Sequence, residues 1–380
     1  MRRIILGVFL LVSILSGGQS NTCWPNSRGD AQLHGTTQVA FPQQIELKWK
    51  FDADGIFKSA PVVCEDKIVV GSTNGTLYCL NMKGDSIWGF KTDNSIEAPA
   101  LIDNGTVYFG NLSGWLYALD LRTGTKKWEY KTDNQIMGSP TIFKNGKQTI
   151  IAVGSYDYFL HGVDAKTGKG LWKYESDNFL NSAPAMDNGV AVFGGCDGFL
   201  HTVNMKTGIS EGKVEIATYI ASSPAVEGTL AYVGDYDGGF TCIDLSKKTI
   251  KWKYENPDSD LPFIASPSLV GNKALIGSRD KFMYCFNKTT GELLWKKNTG
   301  NRIEASTIAN SKQVLLINMR GDVMVLNLDD GSTAWNYQLG VSAINAPAVV
   351  ENAIIIAGSD GNVYCLSSPE ASPSPSQGGE

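Results

Sequence analysis

From residue 47 to residue 367, short apolar runs alternate with polar, glycine-rich breaks. Runs such as Ile68-Val69-Val70-Gly71 and Ala231-Tyr232-Val233-Gly234 are β-branched or aromatic and end in a small residue. They are followed, across a turn of Asp, Asn and Gly, by alternating runs such as Trp115-Leu116-Tyr117-Ala118-Leu119-Asp120. Runs of this length and composition between such turns read as antiparallel hairpins. Turn glycines (Gly75, Gly114, Gly198, Gly321 and Gly361) supply positive φ without a Cβ clash. No helical periodicity occurs in this span, so the chain is expected to be all-β.

The hairpins recur with a period of about 40 residues, which marks a repeat architecture. Each unit opens on a small-residue step: Ala60-Pro61, Ala98-Pro99, Ser139-Pro140, Ala183-Pro184, Ser223-Pro224, Ser266-Pro267, Ala305-Ser306 and Ala346-Pro347. Proline cannot donate to a ladder and so fits a strand start or an edge. A last strand carrying tryptophan closes most units, at Trp88, Trp128, Trp172, Trp252, Trp295 and Trp335. The fourth unit has Gly212 near that place, and the eighth ends at Cys365-Leu366 with no tryptophan strand. Leu47–Phe51, with Trp49, is by contrast a tryptophan strand with no unit before it. The N-terminal strand is therefore expected to complete the last unit. The fold class is an eight-bladed β-propeller of four-stranded antiparallel blades, ring-closed over 47–367.

Residues 1–20 stand apart: Arg2 and Arg3, an apolar run Ile4–Leu15, then small and polar residues. These are the parts of a secretory signal, too short to span a bilayer. The mature chain is expected to be exported to the periplasm or cell surface, with a leader over 21–46 and no transmembrane span. Ser20-Asn21-Thr22 departs from the residues a lipidation signal needs, so no lipid anchor is expected at Cys23. Residues 368–380 form a Pro/Ser-rich tail, expected to be disordered. The formal charge of -5 is interspersed and no basic stripe occurs, which excludes a nucleic-acid partner. Of seven cysteines, Cys79, Cys242, Cys285 and Cys365 share one repeat position. Equivalent positions in different blades lie too far apart to bridge, and no disulfide is expected.

Little in the chain points to chemistry. His161 and His201 share a repeat position otherwise held by tyrosine, and no third metal ligand accompanies them. The Asp-Gly turns lack the ligand spacing of a calcium loop. Four sequons, at Asn74, Asn104, Asn111 and Asn287, read first as turn residues. Glu97, Glu304 and Asn345, just before the small-residue steps, are candidate channel-lining residues. In the same loops, Phe57, Phe179, Tyr219, Phe263 and Arg302 are candidates for a partner-binding face, since aromatic residues and arginine concentrate binding energy.

The stretch Ala118–Trp128, ALDLRTGTKKW, resembles the repeat of the pyrroloquinoline-quinone (PQQ) propellers, in which Ala, a turn Gly and Trp form a tryptophan-docking motif. Gly162-Gly168-Trp172, Cys285-Gly291-Trp295 and Val325-Gly331-Trp335 keep its spacing. Trp24-Pro25-Asn26-Ser27-Arg28-Gly29-Asp30 resembles the leader common before such propellers, and the likeness covers about residues 24–367. It implies a docking role for Trp49 and the tryptophans named above. The family holds quinoprotein dehydrogenases, which bind PQQ and calcium over the channel, and a BamB-like branch that is not catalytic. The adjacent Cys-Cys pair typical of the enzymes is missing here. The resemblance thus implies a monomeric, non-catalytic scaffold for a protein partner in the cell envelope, such as outer-membrane protein assembly offers, and no cofactor. The alternative is a PQQ-dependent dehydrogenase, or a small-ligand binder at the channel.

Overall fold

The computed structural model describes residues 23–369 apart from 147, 217, 218 and 221. The signal expected at 1–20 and nearly all of the tail lie outside the described residues. The described chain is a ring of eight four-stranded antiparallel sheets. Blade 2 is typical, running outward through Leu101–Asp103, Thr106–Gly110, Trp115–Asp120 and Lys126–Lys131. The second strand is buried along its whole length, because sheets cover both of its faces. The outermost strand is largely exposed, with Trp128 buried.

Ring closure follows from the unpaired tryptophan strand. Glu46–Asp52 pairs antiparallel with Asn362–Ser367, so the first strand of the chain is the outer strand of blade 8. This clasp removes the free edges that an open array would leave.

Docking of each tryptophan joins one blade to the next. In blade 2 the register slips between the Ala118–Trp128 and Leu119–Lys126 pairs, and equivalent bulges recur beside the other tryptophans. A bulge re-aims a side chain, here toward the following blade. The indole N–H of Trp128 donates to the Ala165 carbonyl at 2.9 Å. Trp49, Trp88, Trp172, Trp252 and Trp295 donate likewise to Met82, Leu121, Met205, Lys288 and Leu328. Each ring lies on a left-handed glycine; a Cβ on Gly168 would come within 2.8 Å of Trp128. Trp335 packs against the core of blade 8, but its Nε1 is buried without a partner.

The leader is a plug. Its carbonyls at Pro25, Ala31, Gln32, His34 and Gly35 accept from Ile102, Met186, Val226, Leu269 and Ala309, on the innermost strands of blades 2, 4, 5, 6 and 7. The segment therefore crosses the propeller axis. Arg28 is wholly buried there and donates to the Thr307 carbonyl (2.7 Å), the Pro267 carbonyl (2.6 Å) and Ser268 Oγ (3.1 Å). Burial lowers its pKa to about 10, so it stays a cation at neutral pH.

The expectation of no disulfide is overturned at one place. Cys23 and Cys64 are bonded, pinning the start of the leader to the innermost strand of blade 1. Cys64 lies outside the repeat position, so reasoning from blade equivalence did not reach it. Cys79, Cys242, Cys285 and Cys365 are free and buried, and Cys196 is free and half-buried.

Candidate functional site

The loops before the small-residue steps share one end of the propeller with the turns between second and third strands. One hydrogen bond repeats around the ring and defines this mouth. The N–H groups of Thr73, Leu112, Tyr156, Cys196, Tyr236, Arg279, Met319 and Ser359 donate to the carbonyls of Ile56, Ser95, Gln135, Phe179, Tyr219, Pro262, Arg302 and Ser342. The scaffold is the same in all eight blades and the side chains differ in each. Phe179, Tyr219 and Arg302 belong to this ring.

Phe57 and Phe263 do not, which corrects the partner-binding face. Both are buried, at 1% and 0% exposure. They stand one residue further along, where other blades carry Ile96, Ile136, Leu180, Ile220 and Ile303, side chains that cap the glycine ending the second strand. A shift of one residue turns a loop side chain from solvent to core.

The mouth ring is aromatic on blades 3 to 5 and charged beyond. Phe179 stacks on Tyr156 at 4.7 Å and lies 5.2 Å from Tyr158. Tyr219 meets Tyr236 edge-on at 5.0 Å, and its hydroxyl accepts from Asn181 Nδ2 at 2.8 Å. The Arg279 guanidinium lies over Tyr236 at 5.8 Å. Glu304 takes both Arg279 and Arg302, at 3.1 and 3.2 Å. Tyr158 and Tyr236 are each 43% exposed. Tyr156, Tyr158, Tyr236 and Arg279 were missed in the sequence because they sit in turns that read as hairpin chemistry; their signal is the mismatch between copies of one turn.

Inside the ring lies a cup of about 170 Å³ whose lining includes Arg28, Asn181, Ser223, Glu304 and Asn345. Glu97 is not part of that lining and pairs with Lys58 at 3.1 Å. The cup is smaller than the roughly 300–1,000 Å³ usual for ligand pockets. Among the described residues no three His, Cys, Asp or Glu side chains are placed to hold a metal ion. At that size the cup is tight for a tricyclic quinone with calcium, and Glu304 is the one carboxylate in its lining. Burial pushes up the pKa of Cys196, the half-buried thiol of the ring, so it is protonated at neutral pH and a poor nucleophile.

The histidines are structural. His161 Nε2 pairs with Asp157 at 3.0 Å and Nδ1 meets the Tyr130 hydroxyl at 3.1 Å. His201 does the same with Asp197 and Tyr174. In blades 6 and 8 a tyrosine bonds the equivalent aspartate, Tyr284 to Asp280 and Tyr364 to Asp360. Burial opposes ionisation of Asp157, but hydrogen bonds from His161, Asp133 and Phe159 outweigh it and bring its pKa to about 2. The unfolded value is near 3.9. The folded value is the lower one, so the stabilisation is complete above about pH 4 and is withdrawn as pH falls toward 2. Urea midpoints between pH 5 and 2.5 should fall, and less steeply in Asp157→Asn; equal slopes would refute this role. Asn111 is fully buried with its amide on Asp93, so that sequon is turn chemistry.

Comparison with known proteins places these repeats. The model of a family described as outer membrane protein assembly factor BamB matches residues 134–211 and 279–372. BamB of Yersinia pestis is 24% identical over 128 residues, 32% of each chain. The human beta-alanine-activating enzyme is 35% identical over 101 residues, 25% of this chain and 9% of that protein. The lanthanide-dependent methanol dehydrogenase of Methylacidiphilum fumariolicum (strain SolV) is 29% identical over 84 residues, 21% of this chain and 14% of that protein. The chain thus matches a third or less of the length of each of these relatives. Among solved structures, BamB from Moraxella catarrhalis superposes with a TM-score of 0.72 at 20% identity, over 87% of this chain and all of that one. A europium-containing methanol dehydrogenase superposes with a TM-score of 0.76 at 10% identity, over 92% and 99%. At such identities the structures share the fold alone. With its eight repeats, its indole-on-glycine docking and its N-terminal ring closure, the chain is a PQQ-repeat β-propeller of BamB-like type.

Proposed function

We propose that this protein is an exported, non-catalytic docking platform for another protein of the cell envelope, in the manner the name of its BamB relatives suggests. The observation that carries this reading is the mouth ring: an invariant hydrogen-bonded frame whose side chains become aromatic and arginine-bearing over blades 3 to 6. Tyrosine and arginine are enriched at binding hot spots, and aromatic rings supply area at low entropic cost. Phe179, Tyr219 and Arg302 act there with Tyr156, Tyr158, Tyr236 and Arg279. Trapped in pairs by stacking and by Glu304, these side chains lose little freedom on binding. The small, metal-poor cup favours this reading over a quinone-dependent enzyme.

A photo-crosslinker at Tyr236 should capture an outer-membrane assembly component, identified by mass spectrometry, while one at Lys144, away from the ring, should not. Tyr158→Ala/Tyr236→Ala, both exposed, should weaken binding to that component by about 100-fold, given roughly 1–2 kcal/mol for each aromatic anchor. Stoichiometric uptake of PQQ with Ca²⁺, accompanied by reduction of an artificial dye, would overturn the proposal.

A further inference from the structure

The fourth blade breaks the docking pattern in a way that leaves a site. Where the other outer strands carry tryptophan, blade 4 carries Gly212, paired across the strand with Thr202. On the next blade the docking glycine (Gly84, Gly124, Gly168, Gly208, Gly291 or Gly331 elsewhere) is replaced by Lys248, still left-handed at φ 57°. The two replacements face each other: a Cβ built on Gly212 would meet Lys248 Cε at 2.7 Å. Beside Lys248 is a cavity of about 390 Å³ lined also by Val190, Val192, Thr202, Val226 and Leu245, with Asp187 and Glu211 among its polar members.

The same walls in the preceding pair of blades hold an indole. Trp172 packs against a core cluster that includes Ile150, Ala152, Met186 and Met205, the repeat equivalents of Val190, Val192, Val226 and Leu245. Its N–H donates to the Met205 carbonyl at 3.0 Å, 33 residues along. The carbonyl at the same offset from Gly212 is that of Leu245, and it has no donor among the described residues. Ile209, in the turn feeding the same outer strand, is 66% exposed, more than any other large hydrophobic side chain among the described residues.

We propose that this socket between blades 4 and 5 is a docking site for a tryptophan side chain presented by a partner protein. The guest indole lies between the valines and the Leu245 side chain, donates its N–H to the Leu245 carbonyl, and receives the Lys248 ammonium over its face. A cation held over an indole is attracted by the ring quadrupole, and an indole N–H needs a partner once it is buried. The flexible Lys248 stem covers the socket in the free protein and swings aside. The site is on the outer rim, so it stands independently of the role given to the mouth ring.

Methyl NMR of the full chain with N-acetyl-tryptophanamide tests this directly. Saturable shifts are expected at Val190, Val192, Val226 and Leu245, and none with N-acetyl-leucinamide. Gly212→Trp/Lys248→Gly restores the internal docking pattern; it should fill the socket from within and weaken the probe at least tenfold. No saturable shift at those methyls in the unaltered protein overturns the proposal, whether or not the double variant folds. Undiminished binding to the folded double variant also overturns it. So would free indole binding as tightly as the capped amino acid, which would indicate a small metabolite. A concentration-dependent dimer abolished by the double variant would assign the socket to a second copy of this chain, and would overturn it too.

Discussion

Trp128→Ala will destabilise the propeller by about 3–5 kcal/mol, the cost of truncating a buried large aromatic. Trp128 is 9% exposed, the most buried of the outer-strand tryptophans, with its N–H on the Ala165 carbonyl and its ring 5.8 Å from Tyr108. Alanine removes the contact that joins blade 2 to blade 3 and leaves that carbonyl with only the long bond from the Tyr108 hydroxyl, at 3.5 Å. Gly168→Ala should cost a comparable amount from the other side of the contact. Its Cβ would press on the indole at 2.8 Å, and the residue must hold φ at 74°, where any side chain is strained. Trp335→Ala should cost less, because its ring is only partly buried and its N–H makes no bond to be lost. Urea unfolding of the three variants checks the order. A loss below about 1 kcal/mol for Trp128→Ala would show that the blades cohere by sheet packing alone.

Removing the Cys23–Cys64 bond is the second large change. It closes a segment of 41 residues that holds the leader and the first strand. The chain-entropy relation gives about 4 kcal/mol for a loop of that length, within the roughly 2–4 kcal/mol usual for a disulfide. The structural consequence is larger than a loop constraint, because the same segment supplies the axial plug and the outer strand of blade 8. Cys23→Ser/Cys64→Ser should therefore loosen both together, lowering the melting temperature and speeding proteolysis within residues 24–52. Thiol titration of the denatured, unreduced protein should find five thiols, the number left when the bonded pair is set aside. Seven would refute the bond.

The paired replacement across blades 4 and 5 shows how far the repeat can be read. Gly212 is visible in the sequence as a missing tryptophan, yet the sequence alone makes it a loss. Only the superposed blades show that Lys248 changed with it and that the walls kept their apolar lining. The mouth was legible in the same partial way. Phe179, Tyr219 and Arg302 were identifiable as loop residues of differing copies, and Glu304 and Asn345 do lie at the cup. Phe57 and Phe263 were misplaced because apolar residues fill both of two neighbouring positions. Composition does not say which of two adjacent side chains turns inward.

What the sequence determined by itself is what short-range chemistry repeats. Apolar runs, Asp-Gly turns and small-residue steps specify hairpins one at a time, eight copies specify a ring, and an orphan tryptophan strand specifies its closure. The tertiary structure decided what no single repeat contains. The Cys23–Cys64 bond, the leader crossing the axis, the burial of Arg28 and the shared Glu304 each join residues that are far apart in the chain or unique among the copies. Such contacts have no period to betray them. They exist because a closed ring leaves one axis to fill and one mouth to line, and those spaces appear only when the last blade is shut.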